Sequence, residues 1–291
     1  MTKQIQLISL YCTVCVYYDS RLAAIAQRFS NNSCPKFTDE ECLTVYLFGI
    51  LEQKFTVKAI YNFIKDYYPD WFPNLPSYQA FNRKVCFLNE AFVALAGLLM
   101  DLGRISPDIS DFLMDSMPIV VAKQSRSSRA KAASGLCNKG YCSTKKMYYY
   151  GIKMHIVGQK IPGALPKPAC FEITPASVHD LSAARVFLED ARNMDIFCDK
   201  IYIDRNWFAK LSEVDVRIFT PIKLEKGQKE LSEADRPVSA AISRARQPIE
   251  SFFNWIHEKT NIQIASKVRS GRGLISFVFA RISAACLLLY C

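Results

Sequence analysis

Acidic side chains are scarce in this chain of 291 residues: 27 Asp and Glu stand against 37 Lys and Arg, a formal charge of +10. With a pI near 9.0, that imbalance favours a polyanionic partner, nucleic acid above all, although a basic soluble protein without such a partner has the same composition. A complete zinc module is missing. The 11 cysteines are odd in number, and the only close pairs, Cys12-x-x-Cys15 and Cys137-x4-Cys142, lack the spacing of one. They read as reduced thiols, many packed in the core of a cytosolic protein. There is no long uncharged apolar run: Leu274 to Tyr290 is interrupted by Arg281, which favours a packing helix over a membrane span. Leu7 to Tyr18 lacks a small-residue cleavage site and continues into Asp19, Arg21 and Arg28, so a buried first helix is expected rather than a signal peptide. No internal repeat or low-complexity tract occurs.

Up to about residue 105 the apolar spacing is helical. Thr38 and Glu41 have the spacing of a capping box, followed by Leu43, Tyr46, Leu47, Ile50 and Leu51 on one face. A second helix is predicted from Val57 to Tyr68, then a Pro-rich loop from Pro69 to Pro76. Ser77 can cap a long helix running to Leu102, with Arg83 and Lys84 on an exposed face. No sharp helix-turn-helix signature is present, so DNA binding, dimerisation and a structural role remain open for this part.

Beyond about Ser110 strands and helices alternate. Phe112 to Val121 reads as a buried strand, and Lys123 to Lys146 as an exposed basic loop. Met147 to Val157 with Ala169 to Thr174 forms a predicted hairpin. Next come a helix from Leu181 to Arg192, a strand from Asp199 to Asp204, a short helix from Trp207 to Val214, a strand from Val216 to Ile222, and a long helix from Val238 to Lys259. The expected fold class is α/β, a mixed sheet flanked by helices, with residues 1–105 forming a helical domain and 106–291 a second, catalytic one.

Three acids interrupt this pattern in apolar company: Asp115 near the end of the first strand, Asp204 after Lys200-Ile201-Tyr202-Ile203, and Glu250 in the last long helix. Buried acids need partners, and a divalent cation is a common one. Two strand-end aspartates and a helical glutamate, distant in sequence, are what a two-metal phosphoryl-transfer site requires; Mg²⁺ suits oxygen ligands, with Mn²⁺ as a substitute. Asp111, two strand periods before Asp115, is the rival for the first position but lies at the strand's far end. Asp180 reads as a helix N-cap, while Asp195, Asp199 and Asp215 read as solvated acids at element ends. Lys153 and His155 alternate with apolar residues on a strand and could face substrate. Arg126, Arg129, Lys131, Lys145 and Lys146 are the expected phosphate contacts.

Several stretches together resemble bacterial insertion-sequence transposases of the DDE type, nearest to insertion-sequence family 982. They are Phe37-Thr38-Asp39-Glu40-Glu41, Tyr78-Gln79-Ala80-Phe81-Asn82-Arg83, Asp115-Ser116-Met117-Pro118-Ile119, Gly140-Tyr141-Cys142, Tyr150-Gly151-Ile152-Lys153-Met154-His155, Thr174-Pro175-Ala176-Ser177-Val178-His179-Asp180, and the helix around Arg246 and Glu250. The resemblance implies an RNase H-like core, with Asp115, Asp204 and Glu250 as catalytic, metal-holding acids. Such families follow the second aspartate in the pattern Asp-Lys-Gly-Tyr, where this chain has Asp204-Arg205-Asn206-Trp207. Their Tyr-x2-Arg-x3-Glu-x6-Lys signature falls on Ser243, Arg246, Glu250 and His257, of which Arg246 and Glu250 match. Arg246 and His257 are then further DNA contacts.

The implied activity is metal-dependent cleavage at the element's ends and transfer of the 3′-hydroxyl into target DNA. Its partners would be double-stranded DNA, both terminal inverted repeats and target, and a second copy of the chain in the synaptic complex. A bacterial, cytoplasmic, nucleoid-associated protein with no membrane partner is expected. The altered residues after Asp204 motivate an alternative, a catalytically inactive DNA-binding descendant. A general RNase H-like nuclease and a basic structural protein are more distant readings.

Overall fold

A computed structural model describes residues 2–28, 35–103, 106, 109–143, 145–224, 227, 228 and 230–291. In chain order the elements are α1 (Lys3–Tyr17), a π-turn (Tyr18–Leu22), α2 (Ala23–Ile25), α3 (Asp39–Leu51), α4 (Val57–Tyr67), α5 (Tyr78–Phe87) and α6 (Asn89–Leu102). There follow β1 (Asp111–Lys123), α7 (Gln124–Ser127), β2 (Asn138–Cys142), β3 (Met147–Gln159), β4 (Lys167–Pro175), α8 (Asp180–Phe187) and β5 (Met194–Phe197). A 3-10 turn (Lys200–Tyr202), α9 (Arg205–Ser212), β6 (Val216–Phe219), α10 (Asp235–Thr260) and α11 (Gly271–Tyr290) complete the chain.

Two compact units emerge. The first comprises Met1–Gly103, Lys131–Gly135 and Ile256–Cys291; the second comprises Arg104–Ala130 and Leu136–Trp255. The sequence assigned everything after residue 105 to one domain, whereas α11 packs on α6, α3 and α5 of the helical unit. Its apolar surface is what draws it there. By length and composition α11 could cross a membrane, but most of it is buried inside the protein, Arg281 included. That guanidinium is satisfied by three carbonyls: Nε donates to Thr260 at 2.9 Å, Nη1 to Phe277 at 3.1 Å and Nη2 to Phe55 at 2.8 Å.

Thr38 and Glu41 form the capping box that starts α3. Asp39, in the first turn, is nearly inaccessible and accepts from Tyr18 Oη at 3.0 Å, with Arg28 and Lys84 as its ion-pair partners. Lys84, expected at the surface, is therefore largely buried by this pairing. The single helix expected from Ser77 to Leu102 is two, bent by 59° at Leu88, whose ψ of 20° leaves the α-helical region. Only one stripe of α1 is buried, by Leu7, Leu10 and Val14, while Ile5, Ile8 and Val16 are exposed. The ten described cysteines are all free.

The second unit is built on a six-stranded mixed sheet ordered β2-β3-β1-β5-β6, with β4 also paired to β3. The pairs β1–β3, β2–β3 and β3–β4 are antiparallel, whereas β1–β5 and β5–β6 are parallel. With its flanking helices this is the mixed α/β architecture expected of an RNase H-like core. One strand was not foreseen: β2 lies within the basic segment read as a loop. Another was misplaced, since the strand expected at Asp199–Asp204 is at Met194–Phe197. Its Ile196 and, just past its end, Cys198 fill the core, and the chain then turns.

Strand alternation separates the two faces of β1. Phe112 and Met114 join Val157, Ile196, Cys198, Tyr202, Ala184 of α8, Leu188 just after it, and Leu211 of α9 in one apolar cluster. The opposite face carries Asp115, and α10 packs there, with Phe252 against Phe171 of β4 at 6.4 Å between centroids. Ile249 and Phe252 are fully buried on α10, each stabilising the unit by roughly 1.5–3 kcal/mol. Gly151 is required where β1 bulges between Val120 and Ala122: a Cβ there would lie 2.1 Å from the carbonyl oxygen of Ile119.

Candidate active site

Asp115 sits mid-strand on β1, paired with Ile156. Its Oδ2 accepts from Arg246 Nη1 at 2.8 Å, and its Oδ1 from the backbone N–H of Ser116 at 2.8 Å. Arg246 Nη2 donates to Glu250 Oε1 at 2.6 Å. A four-residue separation puts Arg246 and Glu250 on one face of α10, so a single guanidinium joins the strand acid to the helix acid. Pro248 lies between them and leaves the carbonyl of Arg244 without its helical donor. Burial pushes the Asp115 carboxyl up to about 7; Arg246 and the Ser116 N–H oppose this, and the negative charges of Asp199 and Asp180 add to it.

Asp199 is a further acid close to Asp115, its charge felt at that carboxyl. The β1–β5 ladder pairs Asp111 with Asp195, Phe112 with Ile196 and Leu113 with Phe197. The ladder ends at Phe197; carried two residues past it, the same register would set Asp199 beside Asp115 with the same facing, because the strand period is two. Asp199 Oδ1 accepts from the N–H of Lys200 at 2.7 Å as the chain enters its 3-10 turn.

Asp204 is elsewhere. It caps α9, Oδ1 accepting from the Trp207 N–H at 3.1 Å, while Oδ2 pairs with Arg185 of α8. The Trp207 N–H, then Arg185, hold its carboxyl below the usual range. Both helices cover the Met114 face of the sheet, opposite to Asp115 and Glu250. The structure thus brings together Asp115, Arg246 and Glu250, and leaves Asp204 on the far side. Among the described residues, no group of three or more His, Cys, Asp or Glu side chains stands ready as a metal cage.

Directly behind Asp115, on the other face, lies a polar network. The sequence made Asp180 an N-cap, but His179 caps α8, its Nδ1 accepting from Leu181 at 3.3 Å. Asp180 instead accepts from Ser116 Oγ and from Lys153 Nζ, each at 3.0 Å, and Lys153 also donates to the Val178 carbonyl at 2.9 Å. Lys153 is thereby held to the start of α8. His155 is wholly buried, its Nε2 2.8 Å from Thr174 Oγ1, and burial pushes it down to about 4, so the ring is neutral at pH 7. Neither side chain is displayed for DNA. Ser116 belongs to both sides, its N–H on Asp115 and its hydroxyl on Asp180.

The remaining expected residues are scattered. Arg126, Arg129, Lys145 and Lys146 are exposed around α7 and the β2–β3 turn; Lys131 is exposed within the helical unit, and His257 lies in that unit's part of α10. Asp111 pairs with Lys160 at 3.4 Å at the start of β1, and Asp195 pairs with Arg217. The sequence reading placed Asp199 among the solvated acids and passed over Ser116, whereas both bear on the Asp115 carboxyl. A signal for Asp199 was available: Asp199-Lys200-Ile201-Tyr202 keeps Asp, Lys and Tyr of the Asp-Lys-Gly-Tyr pattern, which Asp204 keeps only in its first residue.

A family model described as "Transposase DDE domain" matches residues 108–270, more than half the chain and all of the residues just described around Asp115. No curated protein and no solved structure matched. The chain belongs to the family of DDE-domain transposases.

Proposed function

We propose that Asp115, Asp199 and Glu250 are the catalytic carboxylates of this transposase, and that it cleaves DNA at its element's ends and joins the freed 3′-hydroxyls to target DNA. Its ordered motifs support a place in insertion-sequence family 982. The observation that carries the reading is the single guanidinium of Arg246 shared by Asp115 and Glu250, on the sheet face to which the β5 register delivers Asp199.

These residues fit a hard divalent cation. Asp115 is pushed up to about 7 by burial and by neighbouring acids, the mark of a place short of positive charge. Asp115, Asp199 and Glu250 would hold Mg²⁺, or Mn²⁺ in its stead, two ions being the expected complement. When bound, the metal supplies the positive charge that activates a water or 3′-hydroxyl and stabilises the leaving oxygen. Arg246, already on this face, is suited to hold a scissile phosphate by paired N–H donors. The Ser116 N–H fixes Oδ1 of Asp115, while Oδ2 accepts from Arg246, a contact that a bound cation would have to share or displace. Pairing two ends before strand transfer requires at least two copies of the chain.

An inactive, DNA-binding descendant was motivated by the residues after Asp204, and laying the family pattern on Asp199 removes that ground. The test is strand cleavage of element-end duplex with Mg²⁺. Asp115→Asn and Glu250→Gln are each expected to abolish it while DNA binding persists. Retained cleavage with normal metal dependence would reject the assignment.

A further inference from the structure

One aromatic pair on the carboxylate face has no part in the site described. Tyr141 of β2 and Tyr148 of β3 are cross-strand partners, each about half exposed, with ring centroids 5.0 Å apart. Lys139 Nζ lies 4.7 Å from the centre of the Tyr148 ring. Exposed tyrosines that close to a lysine combine flat π-surfaces with a positive charge.

Their facing follows from the pleat. Tyr148, Tyr150, Ile152, Met154 and Ile156 alternate onto one side of β3, and Ile156 is the partner of Asp115. Lys139 and Tyr141 pair with Tyr150 and Tyr148, and therefore share that side. Eight residues of strand separate Ile156 from Tyr148, about 26 Å at the usual rise per residue. Between them Met154, Ile152 and Tyr150 are buried, so the pair is a separate exposed surface at the far end of β3. In a duplex the faces of the bases are hidden by stacking, whereas an unpaired strand exposes them to aromatic side chains.

We propose that Lys139, Tyr141 and Tyr148 form a stacking platform for an unpaired DNA strand at this end of the sheet. The platform rests on the transposase reading, since it assigns a second contact to that enzyme's DNA. Tyrosine rings take successive bases, and Lys139 neutralises a phosphate between them.

The test uses the full chain in EDTA, so that cleavage plays no part. Binding of a 12-nucleotide oligothymidylate carrying 2-aminopurine is compared with binding of a blunt duplex of the same length. The wild type should quench 2-aminopurine on binding. Tyr141→Ala with Tyr148→Ala should remove the quench and weaken single-strand binding at least about tenfold, with duplex binding within about twofold. Phe at both positions should preserve quench and affinity. The same pair could merely stabilise the hairpin. In that case thermal stability would fall while the quench and the single-strand preference stayed, which overturns the proposal, as would equal loss for both DNAs. Failure here leaves the carboxylate assignment standing, because metal-dependent cleavage is read separately.

Discussion

Arg246 donates to Asp115 at 2.8 Å although 131 positions separate them in the chain, and the same guanidinium holds Glu250 one helical turn away. A strand acid, a helix acid and one cation are thereby tied together before any substrate is bound. Arg246→Lys would keep a charge but lose the fork that reaches both carboxylates. It should retain DNA binding within a few-fold while cleavage falls by about tenfold or more, measured as single-turnover nicking. Unchanged nicking would show that the fork is dispensable.

The pH dependence of stability follows from Asp115. Its folded-state pKa, about 7, lies above the unfolded value near 3.8, so its contribution is full below pH 4 and is lost as pH rises through 7. Asp115→Asn removes that loss. Relative to wild type, the variant should gain on the order of 2 kcal/mol between pH 5 and pH 8, read from denaturant midpoints at both pH values. A constant difference across that range would contradict the burial of a protonatable acid.

Lys153 and Asp180 form a largely buried ion pair behind β1, and Ser116 shares the carboxylate. Breaking it from one side should cost about 3 kcal/mol, more than removing both charges together. Lys153→Met, Asp180→Asn and the double variant make the cycle, and additive losses would refute the pairing. The cleavage rate should follow the Ser116 contact: Ser116→Ala is expected to lower kcat several-fold with little change in DNA affinity.

Arg281 lies wholly inside the helical unit with three carbonyl partners. Arg281→Leu keeps α11 apolar but leaves those oxygens without a donor, which should cost about 3 kcal/mol of stability. Chemical denaturation checks it, and a stability equal to wild type would mean the guanidinium is not needed there.

Much of the fold was legible because local chemistry and tertiary environment agree. Thr38 and Glu41 announce a helix start by their spacing alone, and the run from Phe112 to Val121 is apolar because both faces of β1 are covered. What failed was the reading of Ile201 and Ile203 as strand residues. Both are exposed, whereas Ile196 and Cys198, five residues earlier, are the buried ones. An apolar run says that something packs, not where the strand ends. On the assignment proposed above, that slip moved the second acid from Asp199 to Asp204, whose carboxylate is already used by the Trp207 N–H and Arg185. The α5–α6 bend was invisible for a different reason: Leu88 is an ordinary helix former, and tertiary packing sets its ψ of 20°. Strand β2 lay hidden among lysines because an edge strand needs only one apolar face.

The most direct test sets Asp199→Asn beside Asp204→Asn in one Mg²⁺-dependent nicking assay on element-end duplex. Asp199→Asn should lower the rate at least about a thousandfold with DNA binding intact. Asp204→Asn should nick within a few-fold of wild type and lose only a little stability, as an altered helix cap would. Nicking that survives Asp199→Asn and vanishes with Asp204→Asn would contradict the account.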